Sequence, residues 1–241
     1  MRAERKGDDW ILNGEKAFIA NGSVGRLFFV NARTDPDVPI REGTTTFLVP
    51  VGTPGMRIGK IFNKSGWRFY QNAELVFEDA RVPHADVVGE VNGGMKVRSG
   101  KSAEFNDFEL AANALGVCDA ACEYAMRRAR SERRGGKPLY GHQLVQLKLN
   151  EMFALTETLR SFVLRTAWEM DRHLKSVNPV LVMNYSTDVI QRVTRLNLEI
   201  HAAAPGKTDA MAHKLVRDAI IWSHLAGDTT QRLKAIRKMS K

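Results

Sequence analysis

The hydrophobic pattern of this chain changes period once, at Gly93-Gly94, and that single change limits the folds open to it. Before it, short apolar runs alternate with turn residues. Trp10-Ile11-Leu12 leads through Asn13-Gly14, a two-residue hairpin signal, into Ala17-Phe18-Ile19-Ala20, which Asn21-Gly22 ends. Leu27-Phe28-Phe29-Val30 follows as an apolar run, and the segment 34–43, with Pro36 and Pro39, reads as a loop. Thr44 to Val49 is β-branched and strand-like, and Thr53-Pro54-Gly55 turns the chain into Met56 to Ile61. A last strand pair is expected over Ala73 to Phe77 and Ala80 to Val82, where Pro83 stops it. Short strands at this spacing predict a sandwich or barrel.

Beyond the glycine pair, apolar residues recur at helical spacing. Phe108, Ala111, Ala112, Leu115, Cys118, Cys122 and Ala125 mark one helix from Ala103 to Arg130, broken by Gly135-Gly136-Lys137-Pro138. A second carries Leu149, Met152, Phe153, Leu159, Phe162, Val163, Ala167 and Met170. A third starts near Pro179, carries Leu181, Val189, Val193, Leu196 and Ile200, and ends at Ala204-Pro205-Gly206. A fourth is expected from Asp209 to Leu225 and a fifth from Thr229 onward. Strands first and helices afterwards mean an α+β chain. The expected architecture is a β-sandwich or barrel over residues 1–90, followed by an up-and-down helical bundle over residues 91–241.

Composition narrows the function. The 241 residues suffice for two modest cores. Cys118 and Cys122, four apart on one helix face, read as small buried hydrophobes rather than a disulfide framework or a zinc site. The formal net charge is +9, and its densest cluster is Arg127, Arg128, Arg130, Arg133, Arg134 and Lys137. That cluster lacks aromatic interleaving and fits no helix-turn-helix, zinc-finger or RNA-recognition pattern, so nucleic acid is not expected. It reads as a solvated helix end or as a place for a phosphate-bearing small molecule. His84, His173, His213 and His224 share no ligand spacing, and no metal is assigned. No apolar run is long enough to cross a bilayer, and Met1 to Lys6 is charged and without the apolar core of a secretory signal, so the expected location is cytoplasmic.

A set of motifs then lines up in order. Asp9-Trp10-Ile11-Leu12-Asn13-Gly14-Glu15-Lys16, with Ile19-Ala20-Asn21-Gly22, follows the pattern G-x-x-L-N-G-x-K-x-(W/F)-I-(T/S)-N-G. Phe77 to Pro83 follows F-x-x-V-x-V-P, and Gly89-Glu90 and Gly93-Gly94 match the entry to a helical domain. Gln143, Gln146, Lys148, Leu149 and Met152 follow Q-x-x-Q-x-K-L-A-x-M, while His201 and Arg217-Asp218 keep the spacing of I-H-G-G … R-D. Across almost the whole chain, this ordered set resembles the middle β-domain and C-terminal helical domain of the acyl-CoA dehydrogenase family. The family's N-terminal helical domain is expected to be absent.

The resemblance implies FAD as cofactor, an acyl-CoA thioester as substrate, and a homo- or hetero-oligomer of family members. A carboxylate of burial-raised pKa takes the α-proton while the β-hydrogen leaves as hydride to the flavin. Phe18, Ile19 and Ala20 fall where the family's strand touches the isoalloxazine, Ala20 replacing the usual hydroxyl. His142 and Gln143 fall at the adenine-dinucleotide end, and Glu199 to Ala203 where a Q-x-x-G-G loop approaches the pyrophosphate. There Ala202 and Ala203 replace two glycines that the close approach of backbone calls for. Glu132 stands in place of an arginine that meets FAD phosphate, with Arg133 and Arg134 adjacent as substitutes, and Gly135 replaces a phenylalanine. Asp228, Thr229 and Thr230 complete the implied cofactor set, and Asn106 and Gly227 the substrate set.

The catalytic position departs most. In the run Leu225-Ala226-Gly227-Asp228, Ala226 occupies the place of the family's base, and Asn106 occupies the other position from which some members supply one. Neither side chain accepts a proton. Asp107 is the expected replacement, although a neighbouring helical position is turned by about 100°; Asp228 is the second candidate, its alternative role being a helix N-cap. Three functions follow: a dehydrogenase with a displaced base, a base-lacking subunit that shapes a heteromeric dehydrogenase, and a flavin oxygenase of the same fold.

Overall fold

The computed structural model describes residues 1–98, 102–174, 176, 178–201, 210–225, 232, 233, 236, 237 and 239. It divides into two compact units, Met1–Ala103 and Glu104–Lys241.

The first unit is built on strands β1 (Arg2–Lys6), β2 (Asp9–Ala20), β3 (Leu27–Arg33), β4 (Thr44–Pro50), β5 (Met56–Ile61), β6 (Asn72–Pro83) and β7 (Val87–Val88), followed by a short helix α1 (Gly94–Arg98). They form one seven-stranded sheet in the order β5-β6-β2-β1-β3-β4-β7, antiparallel except where β1 meets β3. The end strands β5 and β7 are not paired with each other, so among the described residues this is a mixed sheet and not a closed barrel. Its core comes from alternating positions: Ala3, Trp10, Leu12, Phe28, Val30, Phe47, Val49, Leu75, Phe77 and Val82 are all buried.

Two expectations need correction. Asn13-Gly14 is not a hairpin turn, because the β1–β2 hairpin turns at Gly7-Asp8 and β2 runs straight through Asn13-Gly14. Likewise Ala73 to Val82 is not a strand pair but one strand, β6. Both errors have the same cause, a β-bulge. Leu12 faces Ala80 and Gly14 faces Phe77, leaving Asn13 opposite both Glu78 and Asp79. Asp79 takes φ 50 and Gly14 φ 117. Asn13 Nδ2 donates to Asp79 Oδ1 at 3.0 Å, and the Asp79 amide donates to Asn13 Oδ1 at 2.8 Å. Hence the inward positions of β6 switch from Ala73, Leu75 and Phe77 to Ala80 and Val82. Gly14 is obligatory for a second reason: a Cβ there would lie 2.8 Å from the Met1 Cα.

Among its described residues the second unit has four long helices, α2 (Ser102–Ser131), α3 (Gln143–Asp171), α4 (Asn178–His201) and α5 (Met211–Leu225), with a tiny hairpin of β8 (Arg133–Arg134) and β9 (Lys137–Pro138) between α2 and α3. The expected endings at Ala204-Pro205-Gly206 and most of the helix after Thr229 lie outside the described residues. The buried face of α2 is small throughout, with Ala111, Ala114, Cys118, Ala121, Cys122, Ala125 and Ala129 allowing close helix packing. Larger side chains on α3 and α4 fill the space, among them Leu149, Met152, Leu159, Met183, Ile190 and Leu196. Trp222 on α5 is buried and donates Nε1–H to the Leu110 carbonyl of α2 at 3.1 Å. Between α3 and α4, Arg192 grips Glu151 through two bonds of 2.5 and 2.9 Å, and Lys148 meets Glu199 at 2.8 Å.

Candidate functional site

In the first unit, Phe18 sits on a second bulge, this one in β2. Lys16 faces Leu75 and Ile19 faces Ala73, so Ala17 and Phe18 together oppose Glu74. Phe18 takes φ 55, a left-handed backbone that is unusual for an aromatic residue. It is nonetheless held firmly. Asn72 Nδ2 donates to the Phe18 carbonyl at 2.9 Å, and the Phe18 ring stacks on Phe62 with centroids 4.1 Å apart and planes at 16°. The Asn72 Oδ1 also accepts from Lys64 Nζ at 2.6 Å, and its carbonyl accepts the Phe62 amide at 2.9 Å. The result is an exposed Phe18, 65% accessible, backed by a half-buried Phe62 on a fixed backbone. Phe62 also lines a cleft of about 240 Å³ with Ile61, Asn63, Lys64, Arg68 and Gln71. Ile19 is half-buried and Ala20 exposed beside it in sequence. Sequence reasoning singled out Phe18, Ile19 and Ala20 but missed Phe62 and Asn72. Phe62 follows an apolar strand and Asn72 precedes one, so neither carried a motif signal.

In the second unit, Arg133, Arg134 and His142 come together around the β8–β9 hairpin, and Gln143 follows His142 as the first residue of α3. Its turn residues Gly135 and Gly136 have φ 56 and 79, as a type I′ turn requires. A phenylalanine at 135 would be strained in that conformation, which accounts for the glycine found there. His142 Nε2 lies 3.1 Å from the Arg134 carbonyl, tying the start of α3 to the hairpin. Arg133 donates to the Gly136 carbonyl at 2.7 Å. Glu132, at the base of the hairpin, is ion-paired on both sides: to Arg128 at 3.1 Å and to Arg134 at 2.9 Å. Arg133, Arg134, Lys137 and Gln143 are all exposed.

Glu199 does not stand free. Its carboxylate meets Lys148 of α3 while remaining 48% exposed. His201, two residues on, is buried, donates from Nδ1 to the Asn197 carbonyl at 2.8 Å and stacks on Tyr124 at 4.5 Å. Burial holds its imidazole below the usual histidine range, and the neighbouring Arg128 adds to that. On α2, Asn106 is exposed and Asp107 half-buried. Ala202, Ala203, Ala226, Gly227, Asp228, Thr229 and Thr230 lie outside the described residues. Cys118 and Cys122 are free and buried, and burial pushes both thiols up. Among the described residues, no helix is long and apolar enough to cross a membrane.

An α+β chain with this mixed sheet, helical unit and basic hairpin matches two family models, the acyl-CoA dehydrogenase middle domain over residues 1–80 and the acyl-CoA dehydrogenase C-terminal domain over residues 92–239. The chain belongs to the acyl-CoA dehydrogenase family. It is 31% identical over 221 residues to cyclohex-1-ene-1-carbonyl-CoA dehydrogenase of Syntrophus aciditrophicus, spanning 90% of this chain and 53% of that protein. It is 30% identical over 220 residues to the human mitochondrial short-chain specific acyl-CoA dehydrogenase, spanning 91% and 53%. The solved butyryl-CoA dehydrogenase of Megasphaera elsdenii superposes with a TM-score of 0.91 at 29% identity, over 99% of this chain and 63% of that one. The chain therefore spans less than two thirds of the length of these relatives.

Proposed function

We propose that this chain forms the flavin- and substrate-handling part of an FAD-dependent acyl-CoA dehydrogenase that removes hydrogen across the α,β bond of an acyl-CoA thioester. The observation that carries the reading is the match to both acyl-CoA dehydrogenase domains, in order, over residues 1–80 and 92–239. The residues present fit the cofactor at two places. The bulged Phe18, with Ile19 and Ala20, offers an exposed aromatic and backbone edge to a flat ring system. Exposed Arg133, Arg134 and Lys137 on the hairpin, with half-buried His142 and exposed Gln143 at the start of α3, offer donors to a diphosphate. When bound, FAD supplies the hydride acceptor.

The chain's own contribution is position and proton transfer. Asp107, half-buried on α2, is the candidate base for the α-proton, with Asn106 beside it on the substrate side. Gly227 is assigned to the substrate, and Glu199, Ala202, Ala203, Asp228, Thr229 and Thr230 to the cofactor, by their place in the family pattern. Exposed apolar side chains on the helices, Leu144, Leu147, Leu164 and Trp168 among them, support an oligomer of family members. Two buried free cysteines support a reducing, cytoplasmic setting.

The test is an absorbance spectrum of the purified chain titrated with acyl-CoA thioesters. Bound flavin that bleaches on titration is the expected outcome, and Asp107→Asn should slow bleaching by about 10²- to 10⁴-fold. Flavin acquired only on co-expression with a base-bearing homologue would instead favour a non-catalytic subunit, the reading that Ala226 motivates. A chain that never binds flavin would sink both.

A further inference from the structure

Glu132 is the acidic group set most closely among the cations of the β8–β9 hairpin, and it is shared. From residue 127 to residue 137 the chain carries Arg127, Arg128, Arg130, Arg133, Arg134 and Lys137 against this single carboxylate. Its Oε2 meets Arg128, one turn earlier on α2, at 3.1 Å, and its Oε1 meets Arg134 on β8 at 2.9 Å. Only 24% of the Glu132 side chain is accessible, so the carboxylate is turned into the junction rather than out to water. Its backbone is fixed as well. The Glu132 amide donates to the Arg128 carbonyl at 3.0 Å, and its own carbonyl accepts the Leu139 amide at 2.8 Å. Arg134 by contrast is 73% accessible, and Arg128 Nε is buried without an acceptor among the described residues.

We propose that Glu132 is a built-in competitor for the ligand's diphosphate, an intramolecular anion that occupies Arg134 and sets how tightly the hairpin holds a phosphate-bearing ligand. The inference rests on the flavin reading above and deepens it. A diphosphate reaching the hairpin finds Arg133 and Arg134 in place, but Arg134 already satisfied and a negative charge fixed beside it. Binding then requires either displacing that carboxylate from Arg134 or accepting its repulsion. Both weaken association, and both vanish when the charge is removed while the side-chain shape is kept.

The experiment is the dissociation constant of FAD, and separately of ADP, for the full chain stripped of nucleotide. It is read by fluorescence quenching for FAD and by calorimetry for ADP, at low ionic strength. The proposal expects Glu132→Gln and Glu132→Ala each to bind both ligands about fivefold more tightly than the parent. Glu123→Gln removes the same charge from an exposed pair with Arg127 at 3.2 Å on the same helix, and should leave affinity unchanged. Equal tightening by Glu123→Gln would assign the effect to overall charge and overturn the proposal. Unchanged or weaker binding by Glu132→Gln would overturn it too. Weakening by Glu132→Ala alone would make Glu132 a support for Arg134 and not a competitor. If parent and variants all fail to bind FAD, the flavin reading itself fails and the proposal falls with it, an outcome distinct from equal, measurable affinities.

Discussion

Asn72 holds three segments of chain at once. Its amide fixes the Phe18 carbonyl, its side-chain oxygen takes Lys64, and its own carbonyl takes the Phe62 amide. Asn72→Ala removes both side-chain bonds and should cost about 1–3 kcal/mol in urea unfolding, with a loss of flavin affinity if Phe18 leaves its left-handed backbone. A stability unchanged within about 0.5 kcal/mol would show that the bulge holds itself. The cysteines make the opposite case, residues whose chemistry is switched off. Cys118 and Cys122 are buried, and burial raises both thiols away from the reactive thiolate. An aromatic disulfide reagent should therefore modify neither in the native protein and both after denaturation. That reading was legible from their four-residue spacing, whereas Asn72 was not, because one asparagine ahead of a strand has no periodic signature.

At the level of elements, the Glu169 carboxylate ties the end of α3 to the start of α4. Glu169 Oε1 accepts from Arg165 Nε at 3.0 Å, and Oε2 accepts from Asn178 Nδ2 at 2.6 Å. Bonding to Ser176 and Arg165 holds its carboxyl below the usual glutamate range. A depressed carboxyl pKa contributes stability that is complete above the unfolded value and is lost as pH falls through the folded one. Thermal stability should thus decline on acidification below the ordinary glutamate range, and Glu169→Gln should flatten that part of the profile. The helices were readable because a 3.6-residue period survives over many turns, and the strands because the apolar runs are cleanly punctuated. What failed was the meaning of Asn13-Gly14. The pair suits any backbone with positive φ, and a bulge uses it as readily as a hairpin does. Only the partner strand, with Asp79 opposite Asn13, decides between them, and that contact spans 66 residues. The helix does end before Gly135-Gly136, at Ser131, as that glycine pair suggests; that the pair is also a hairpin turn is hidden, because its two strands are too short to show any alternation.

For the molecule as a whole, the family was legible from ordered motifs, while the geometry of the candidate site was not. The motif positions gave Phe18, Arg133, Arg134 and His142, but not that Glu132 bridges two arginines or that Phe62 backs Phe18. Phe18 and Phe62 are 44 residues apart and leave no trace in spacing, while Glu132 lies within four residues of several arginines, and only the fold decides that it pairs with Arg128 and Arg134. The apolar side chains exposed on the helical unit carry a prediction at this scale. Sedimentation should show a species heavier than the 27.0 kDa chain, and Leu147→Lys or Trp168→Lys should shift it toward the monomer if those side chains are covered in the assembly. A monomer at all concentrations would remove oligomer formation from the proposed function.

The two irregularities of β2 and β6 behave as a pair of dislocations of opposite sign. The first places the surplus residue on β6, the second on β2, so the strands leave their zone of contact in the phase in which they entered it. Between them lies a short stretch, Gly14 to Lys16 against Leu75 to Phe77, that is out of step by one position. A substitution or a change of length that adds equally to both faults can therefore remodel the ledge bearing Phe18 without disturbing Trp10, Leu12 or Val82 deeper in the sheet. A one-residue deletion at Ala17 would annihilate one fault and leave the other unbalanced, carrying the mismatch onward through Ile19 and Ala20 to the strand's end.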